Sequence, residues 1–406
     1  MQTLSKKIDQ HLIDLAWSLW TEFGVAGIKR HHQNCLIAPE ELILLTAIVG
    51  ELDPRLRDEA LDWCTRYHHF ISISRLRALI KALGPDVDEP FSIFAATLNS
   101  VSNADWPLFA KVTPLKFIPS GKSKPPRCEL PSLLYLRLRA LFGVGARADL
   151  ITFFLTQEKS HFTASDAAEI GYSKRGLANL LDSFVQSGFF DVITIRNQQN
   201  YRFIKRDQMI NMIGLFPEVV PSWSPILEVV LPLRTCIQSI ENKSEGTKVT
   251  EIRSALMKIE DKLYKLNLAP PPPIESDFSA YWQNFSEWIL KMLDSFAQGD
   301  FGKNARVLSS EEMRDMAKRI KIQFIGLFSN IESLSTHSNE HTKYALFEHY
   351  KSAFRKHLNN YLSKIYFDDQ IKLKELADKL LLKDHFTPSL KEAIIASLNE
   401  ILEKYS

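Results

Sequence analysis

The stretch from Thr163 to Ile204 constrains the fold more tightly than any other part of the chain. Thr163 is a helix-start residue, with Asp166 three positions on as a capping-box-like partner for the free amides, and Gly171 is a natural helix end. Ser173 then caps a second helix, in which Leu177, Leu180, Leu181, Phe184 and Val185 fall at i, i+3, i+4, i+7 and i+8. One face of that helix must pack, leaving Lys174, Arg175, Ala178, Asn179 and Asp182 on the other. Gly188 stops it. Phe189 to Ile195 reads as a strand, Asn197-Gln198-Gln199-Asn200 as a polar turn and Tyr201 to Ile204 as a returning strand. Upstream, a helix ending around Phe142 and Gly143 precedes another from Ala148 to about Lys159, with Leu150, Ile151, Phe154 and Leu155 on one side. The order is helix, helix, turn, helix, hairpin.

At 406 residues the chain exceeds what one hydrophobic core holds, so two or three domains are expected. Hydrophobic residues at 45% and charged residues at 24% describe a folded chain and exclude a disordered one. Leu4, Ile8, Leu12, Leu15, Leu19 and Phe23 recur at three- and four-residue steps, which predicts an amphipathic helix in need of a partner surface. Three more helices carry start signals: Pro39 opens one ending near Val49, Asp53-Pro54 one through Tyr67, and Ser74 one to Leu83. Gly84-Pro85-Asp86-Val87-Asp88-Glu89-Pro90 reads as a breaker cluster. Gly121-Lys122-Ser123-Lys124-Pro125-Pro126-Arg127 reads as a basic linker, placing a boundary near 120 to 130.

Beyond Asp207 the pattern is helical, at about 224–241, 247–267, 277–297, 310–334, 339–366, 370–382 and 388–404, with Pro270 to Pro273 as a stiff break and Ser309 with Glu312 as a capping box. As a helix, 339–366 would run about 40 Å, more than a lone recognition module needs. Such a half pairs with a second copy, another protein or the rest of the chain. No repeat of fixed period is seen, so the sequence does not support a solenoid. The expected fold class is mainly α: a helical N-terminal domain (1–120), a central helix-and-hairpin domain (130–206) and an all-helical C-terminal assembly domain (207–406).

Ala167-Ala168-Glu169-Ile170-Gly171-Tyr172-Ser173-Lys174-Arg175-Gly176-Leu177, followed by Leu180-Leu181 and Gly188-Phe189-Phe190, resembles the winged helix-turn-helix domains of bacterial and archaeal transcription regulators. The resemblance spans 130–206. It implies a second motif helix that enters the major groove by its first residues and a hairpin wing on the backbone or minor groove. Carried over residue by residue, Tyr172, Ser173, Lys174, Arg175 and Asn179 meet the groove, while Arg196, Gln198, Asn200 and Arg202 lie on the wing. It implies double-stranded DNA as partner, transcription regulation as role and a homodimer as the working form. Local charge agrees: 121–206 carry thirteen Lys or Arg against seven Asp or Glu in a chain of net +2. The trihelical unit at 39–83 is a candidate second helix-turn-helix, with Ser74, Arg75 and Arg77 opening its last helix, although plain helical bundles share that pattern.

Winged helices also serve as protein-binding modules, so a non-enzymatic interaction protein stays open: an antitoxin-like or defence-system subunit binding a partner through the C-terminal helices. Enzymatic readings find little. No Gly-x-x-x-x-Gly-Lys-Ser/Thr loop, Gly-x-Ser-x-Gly elbow or His-Glu-x-x-His occurs, and Gly143-Val144-Gly145 lacks a third glycine. Asp86, Asp88 and Glu89 read as a solvated turn rather than a cation loop. His31, His32, Cys35, Cys64, His68 and His69 contain a zinc-like donor set in His32, Cys35, Cys64 and His68, but the spacing is not a standard one, and Cys64 lies on the apolar side of its helix with Leu56, Ala60 and Tyr67. No metal, cofactor or catalytic residue is expected. Four scattered cysteines, no apolar run of membrane-spanning length and no signal core in Met1 to Gln10 make the expectation a cytoplasmic protein.

Overall fold

Fourteen α-helices and one two-stranded antiparallel sheet form the regular structure of the described residues, which in this computed structural model are 3–27, 30–157, 161–195, 197–271 and 278–301, with Glu392 and Ala396 besides. The helical stretches expected beyond 301, and the Ser309–Glu312 pair, otherwise lie outside them.

The described residues belong to two units: 3–27, 30–156, 164–190, 204–271 and 278–301 fall in the first, and 157, 161–163, 191–195 and 197–203, with Glu392 and Ala396, in the second. In the first unit, α1 (Leu4–Glu22) is opened by Thr3, whose hydroxyl accepts from the Lys6 amide. It is buried on most sides, and Trp20 and Phe23 meet Trp63 at ring separations of 5.5 and 5.1 Å. The Trp20 indole donates to Thr46 Oγ1 at 2.7 Å and that of Trp63 to the Phe23 carbonyl at 2.9 Å, so both polar edges are satisfied inside the core.

Around α1 stand α2 (Pro39–Val49) and α3 (Pro54–Tyr67), each with proline at its first turn. α4 (Ile73–Leu83) is capped by Ser72 rather than Ser74, because the Ser72 hydroxyl is the one that accepts from the Arg75 amide. Where a breaker cluster was expected, α5 (Asp88–Val101) begins. Pro90 sits in its first turn, where no amide is required, and Asp88 and Glu89 suit the positive helix end. Residues 102–130 form no helix or strand until they reach α6 (Leu134–Phe142), yet side chains of α3 and α5 supply their backbone partners. Ser92 accepts from the Phe109 and Ala110 amides, Thr97 from Leu115, and Asp62 from Gly121 and Ser123, all at 2.6–3.0 Å.

α7 (Ala146–Thr156), α8 (Ala164–Ala167) and α9 (Lys174–Gln186) follow, with Gly171 left-handed at φ 86° ending the short turn after α8. Leu177, Leu181 and Phe184 of α9 are buried, and Phe184 stacks on Phe190 at 5.1 Å. The hairpin of the second unit pairs β1 (Phe190–Ile195) with β2 (Gln198–Phe203). β2 already begins at Gln198, so the four-residue turn expected at 197–200 is not the one observed. Asn197 takes φ 62°, a conformation asparagine tolerates, and so lets Gln198, Gln199 and Asn200 enter the strand. Phe162 pairs with Tyr201 through reciprocal amide–carbonyl bonds of 3.0 and 2.8 Å, adding a third short rung.

In the first unit again, α10 (Arg206–Ile213) precedes α11 (Trp223–Ile240), α12 (Glu245–Lys258), α13 (Glu260–Lys265) and α14 (Phe278–Ala297). α11 and α14 lay their apolar sides on α1, so the partner that α1 required is supplied by the chain itself. No described helix is long and apolar enough to cross a membrane.

Candidate nucleic-acid interface

The start of α9 is built by capping and by one anchored tyrosine. Ser173 is the N-cap, and its hydroxyl accepts from the Gly176 amide at 3.2 Å, so this side chain is committed to the helix. Lys174 and Arg175 in the first turn and Asn179 one turn on are exposed, and the two cations meet no carboxylate among the described residues. The apolar and polar faces of α9 therefore divide as the spacing of its leucines required.

Tyr172, placed by its sequence position among the groove-facing residues, is half-buried. Its hydroxyl donates to Asp149 Oδ2 at 2.7 Å and accepts from the Ser72 hydroxyl at 2.8 Å. Burial, and then the charge of Asp149, raise the phenol well above the ordinary tyrosine range, so it remains a neutral donor. The contact fixes the chain two residues before α9 begins.

Behind Tyr172 lies a cluster of buried charges that the sequence did not announce. The side chain of Arg139 of α6 is 0% exposed and uses all five of its N–H groups. Nε and Nη2 donate to Asp149 Oδ1 and Oδ2, both at 2.8 Å, while Nη1 and Nη2 donate to Glu40 Oε1 and Oε2 at 2.6 and 3.1 Å. The fifth, on Nη1, reaches the Phe70 carbonyl at 2.9 Å. Arg75 of α4 donates to Glu40 at 3.3 Å and Glu41 at 2.6 Å, and both guanidiniums lie over the Tyr135 ring at 5.0 and 5.4 Å. Ser224 of α11 adds a donor to Glu41 at 2.8 Å.

Burial alone would raise the Asp149 pKa, but Arg139 and then Arg75 outweigh it and hold the carboxyl below its usual range. Tyr135, which burial pushes up to about 12, stays neutral beside them. Residues from either side of 120–130 thus share one polar core, and Arg75, read as an opening residue of a second recognition helix, is turned inward at 4% exposure. Its helix keeps Ser74 and Arg77 exposed.

The basic excess of 121–206 is partly internal for the same reason. Arg137 donates to five backbone carbonyls, those of Cys128, Glu129, Leu130, Ile213 and Leu215, at 2.6–3.1 Å. Arg206 donates to the Phe154 and Leu155 carbonyls at the end of α7.

On the hairpin, Gln198 is exposed, whereas Asn200 is buried at 3% exposure and donates to the Gln198 carbonyl at 3.1 Å. Arg202 is exposed and paired with Asp191 at 3.3 Å. Arg196 lies outside the described residues.

No group of three or more His, Cys, Asp or Glu among the described residues is arranged to hold a metal ion. His32 is fully buried, with Nε2 on the Phe296 carbonyl at 2.9 Å and Nδ1 on Ser18 Oγ at 2.7 Å, so neither nitrogen is free to ligate. Burial raises the thiols of Cys35 and Cys64 away from the thiolate form that zinc needs. The His68 ring turns to the Cys64 carbonyl at 3.2 Å instead of joining its sulfur. Asp88 and Glu89 belong to the first turn of α5.

Compared with known proteins, the chain matches no family model, no curated protein and no solved structure.

Proposed function

We propose that the chain is a non-enzymatic, cytoplasmic DNA-binding regulator that reads duplex DNA through α9 of a winged helix-turn-helix. The observation that carries this reading is the start of α9: a capped helix packed by Leu177, Leu181 and Phe184, with Lys174, Arg175 and Asn179 exposed on the opposite side. Cations on the first turn of such a helix suit phosphate and guanine edges. Tyr172 and Asn200, committed within the protein, are not needed for contact and serve as positioning groups. The hairpin, with Gln198 and Arg202 exposed, is the proposed wing. A homodimer through the C-terminal helices would pair two recognition helices across a two-fold site.

The test is salt-dependent binding of duplex DNA by the full chain. Lys174→Ala and Arg175→Ala should each cost about 1 to 3 kcal/mol if they reach bases and less if they touch only phosphate. Unchanged affinity in a folded double variant refutes the assignment. A second reading, a subunit that binds a protein partner, is favoured by Met257 at 77% and Tyr264 at 76% exposure on α12 and α13, apolar bodies set in water. Co-purification of a stoichiometric partner, lost on substituting both by serine, would select it.

A further inference from the structure

α4 contains no acidic residue. Its inner side buries Leu76, Leu79 and Ile80, and Arg75 is taken up by Glu40 and Glu41, which leaves Ser74, Arg77 and Lys81 exposed. These three fall at i, i+3 and i+7 and so make one stripe along the helix. Arg77 and Lys81 are like charges at i, i+4, a spacing that opposes the helix unless an anion sits over it. Neither meets a carboxylate among the described residues.

The stripe borders the helix-turn-helix. Ser72, the cap of α4, donates to the Tyr172 hydroxyl at 2.8 Å, and α9 starts two residues after Tyr172. Gly171 approaches α4 so closely that a Cβ there would lie 3.3 Å from Arg75 Cγ and 3.8 Å from Ala78 Cβ. On the surface of α4, Ala78 is flanked by Ser74 four residues before and Lys81 three residues after, so the side carrying the turn adjoins the stripe. Two helices from distant parts of the sequence begin within one hydrogen-bonded contact of each other. Each presents cations that meet no carboxylate among the described residues.

We propose that α4 extends the α9 interface into one DNA-backbone surface, with Arg77 and Lys81 neutralising phosphates beside the groove that α9 enters. This rests on the DNA-binding reading of α9. Phosphate is the fitting partner because flexible point charges set on a helix face position a duplex without reading its sequence.

The experiment follows binding of the full chain to a short mixed-sequence duplex by fluorescence anisotropy over a salt series. Each phosphate contact contributes about 0.9 to the slope of log K against log salt, so Arg77→Gln with Lys81→Gln should shallow it by about 1.8 and weaken binding by roughly sixtyfold near 0.1 M salt, with 1 M salt as the reference. The same loss should appear on unrelated sequences. Arg253→Gln with Lys258→Gln, an equal change of net charge on α12, should leave the slope at its wild-type value. A wild-type slope in the α4 variant, with binding still sensitive to Lys174 and Arg175, overturns the inference and leaves the α9 reading standing. Equal losses in the α4 and α12 variants overturn it as well, since net charge alone would then explain both. A wild-type chain that does not bind DNA overturns both readings.

Discussion

Replacing Arg139 by leucine removes the hub of the buried charge cluster at nearly constant volume. The five N–H bonds of Arg139 disappear, and the carboxylates of Asp149 and Glu40, buried with 0% side-chain exposure, lose their principal cation. Asp149 keeps the Tyr172 hydroxyl, and Glu40 keeps Arg75 and the Ser72 amide, so the charges are stranded only in part. Breaking a buried pair by removing one partner costs about 3 to 5 kcal/mol, a large share of the roughly 5 to 15 kcal/mol that holds a domain together. Arg139→Lys should fall between wild type and leucine, because an ammonium keeps the charge but offers three donors in place of the guanidinium fork.

The assay is denaturant unfolding at several pH values. In the wild type the depressed Asp149 pKa contributes stability that is present above the unfolded carboxylate pKa and lost as pH falls through the folded value. In the leucine variant, burial without Arg139 pushes the same pKa up, so the folded state takes up a proton and escapes the penalty in acid. The gap between the two proteins must therefore widen from pH 5 to pH 8. A gap below about 1 kcal/mol at pH 8, or one that widens on acidification, refutes the assignment of Arg139 as the hub.

Two further outcomes follow from the junction of the 31–32 loop with the end of α14. Burial, against a smaller opposing effect of the Phe296 carbonyl, lowers the His32 pKa from 6.5 to about 4; a folded state that resists the proton loses stability as pH falls between those values, by about 3 kcal/mol in all. His32→Gln should lack this portion of the acid sensitivity in thermal melts, and identical pH profiles for the two proteins would rule it out. Gly299 has φ 83° and an added Cβ there would overlap the His31 carbonyl, whereas Gly84 has φ 87° with nothing within 4 Å. Gly299→Ala should therefore destabilise by more than the roughly 1 kcal/mol of backbone strain expected for Gly84→Ala, and equal losses would show that the loop does not press on α14.

Local elements were legible where periodicity, caps and turns act over a few residues. The leucines of α9, the Ser173 cap and the Gly171 stop appear in the structure at the positions their chemistry requires, and α11 and α14 lie within a residue or two of the stretches read from spacing alone. α5 was not legible because Pro90, a breaker inside a helix, is harmless in the first turn, and sequence alone does not say which turn it occupies. The hairpin turn was displaced because a run of four polar residues hides which of them takes the left-handed conformation, here Asn197.

The buried cluster lies beyond local reading for a different reason: Glu40, Arg75, Arg139, Asp149 and Tyr172 meet across 132 residues of sequence, from 40 to 172. Its trace was nevertheless present, since Arg137 and Arg139 interrupt Leu134-Tyr135-Leu136 and Leu138, and Asp149 sits against Leu150-Ile151. A charge within such an apolar run is either wasted or paired inside. That distinction also corrects the charge count that pointed to DNA. Setting aside the inward Arg137, Arg139 and Arg206 and the buried Asp149, the thirteen basic and seven acidic residues of 121–206 become ten against six. The outward basic field of this segment alone is weaker than its composition states. Arg77 and Lys81 of α4, outside the segment and bordering its turn, are the residues that would restore it, so the proposed DNA binding would depend on both helices rather than on α9 alone.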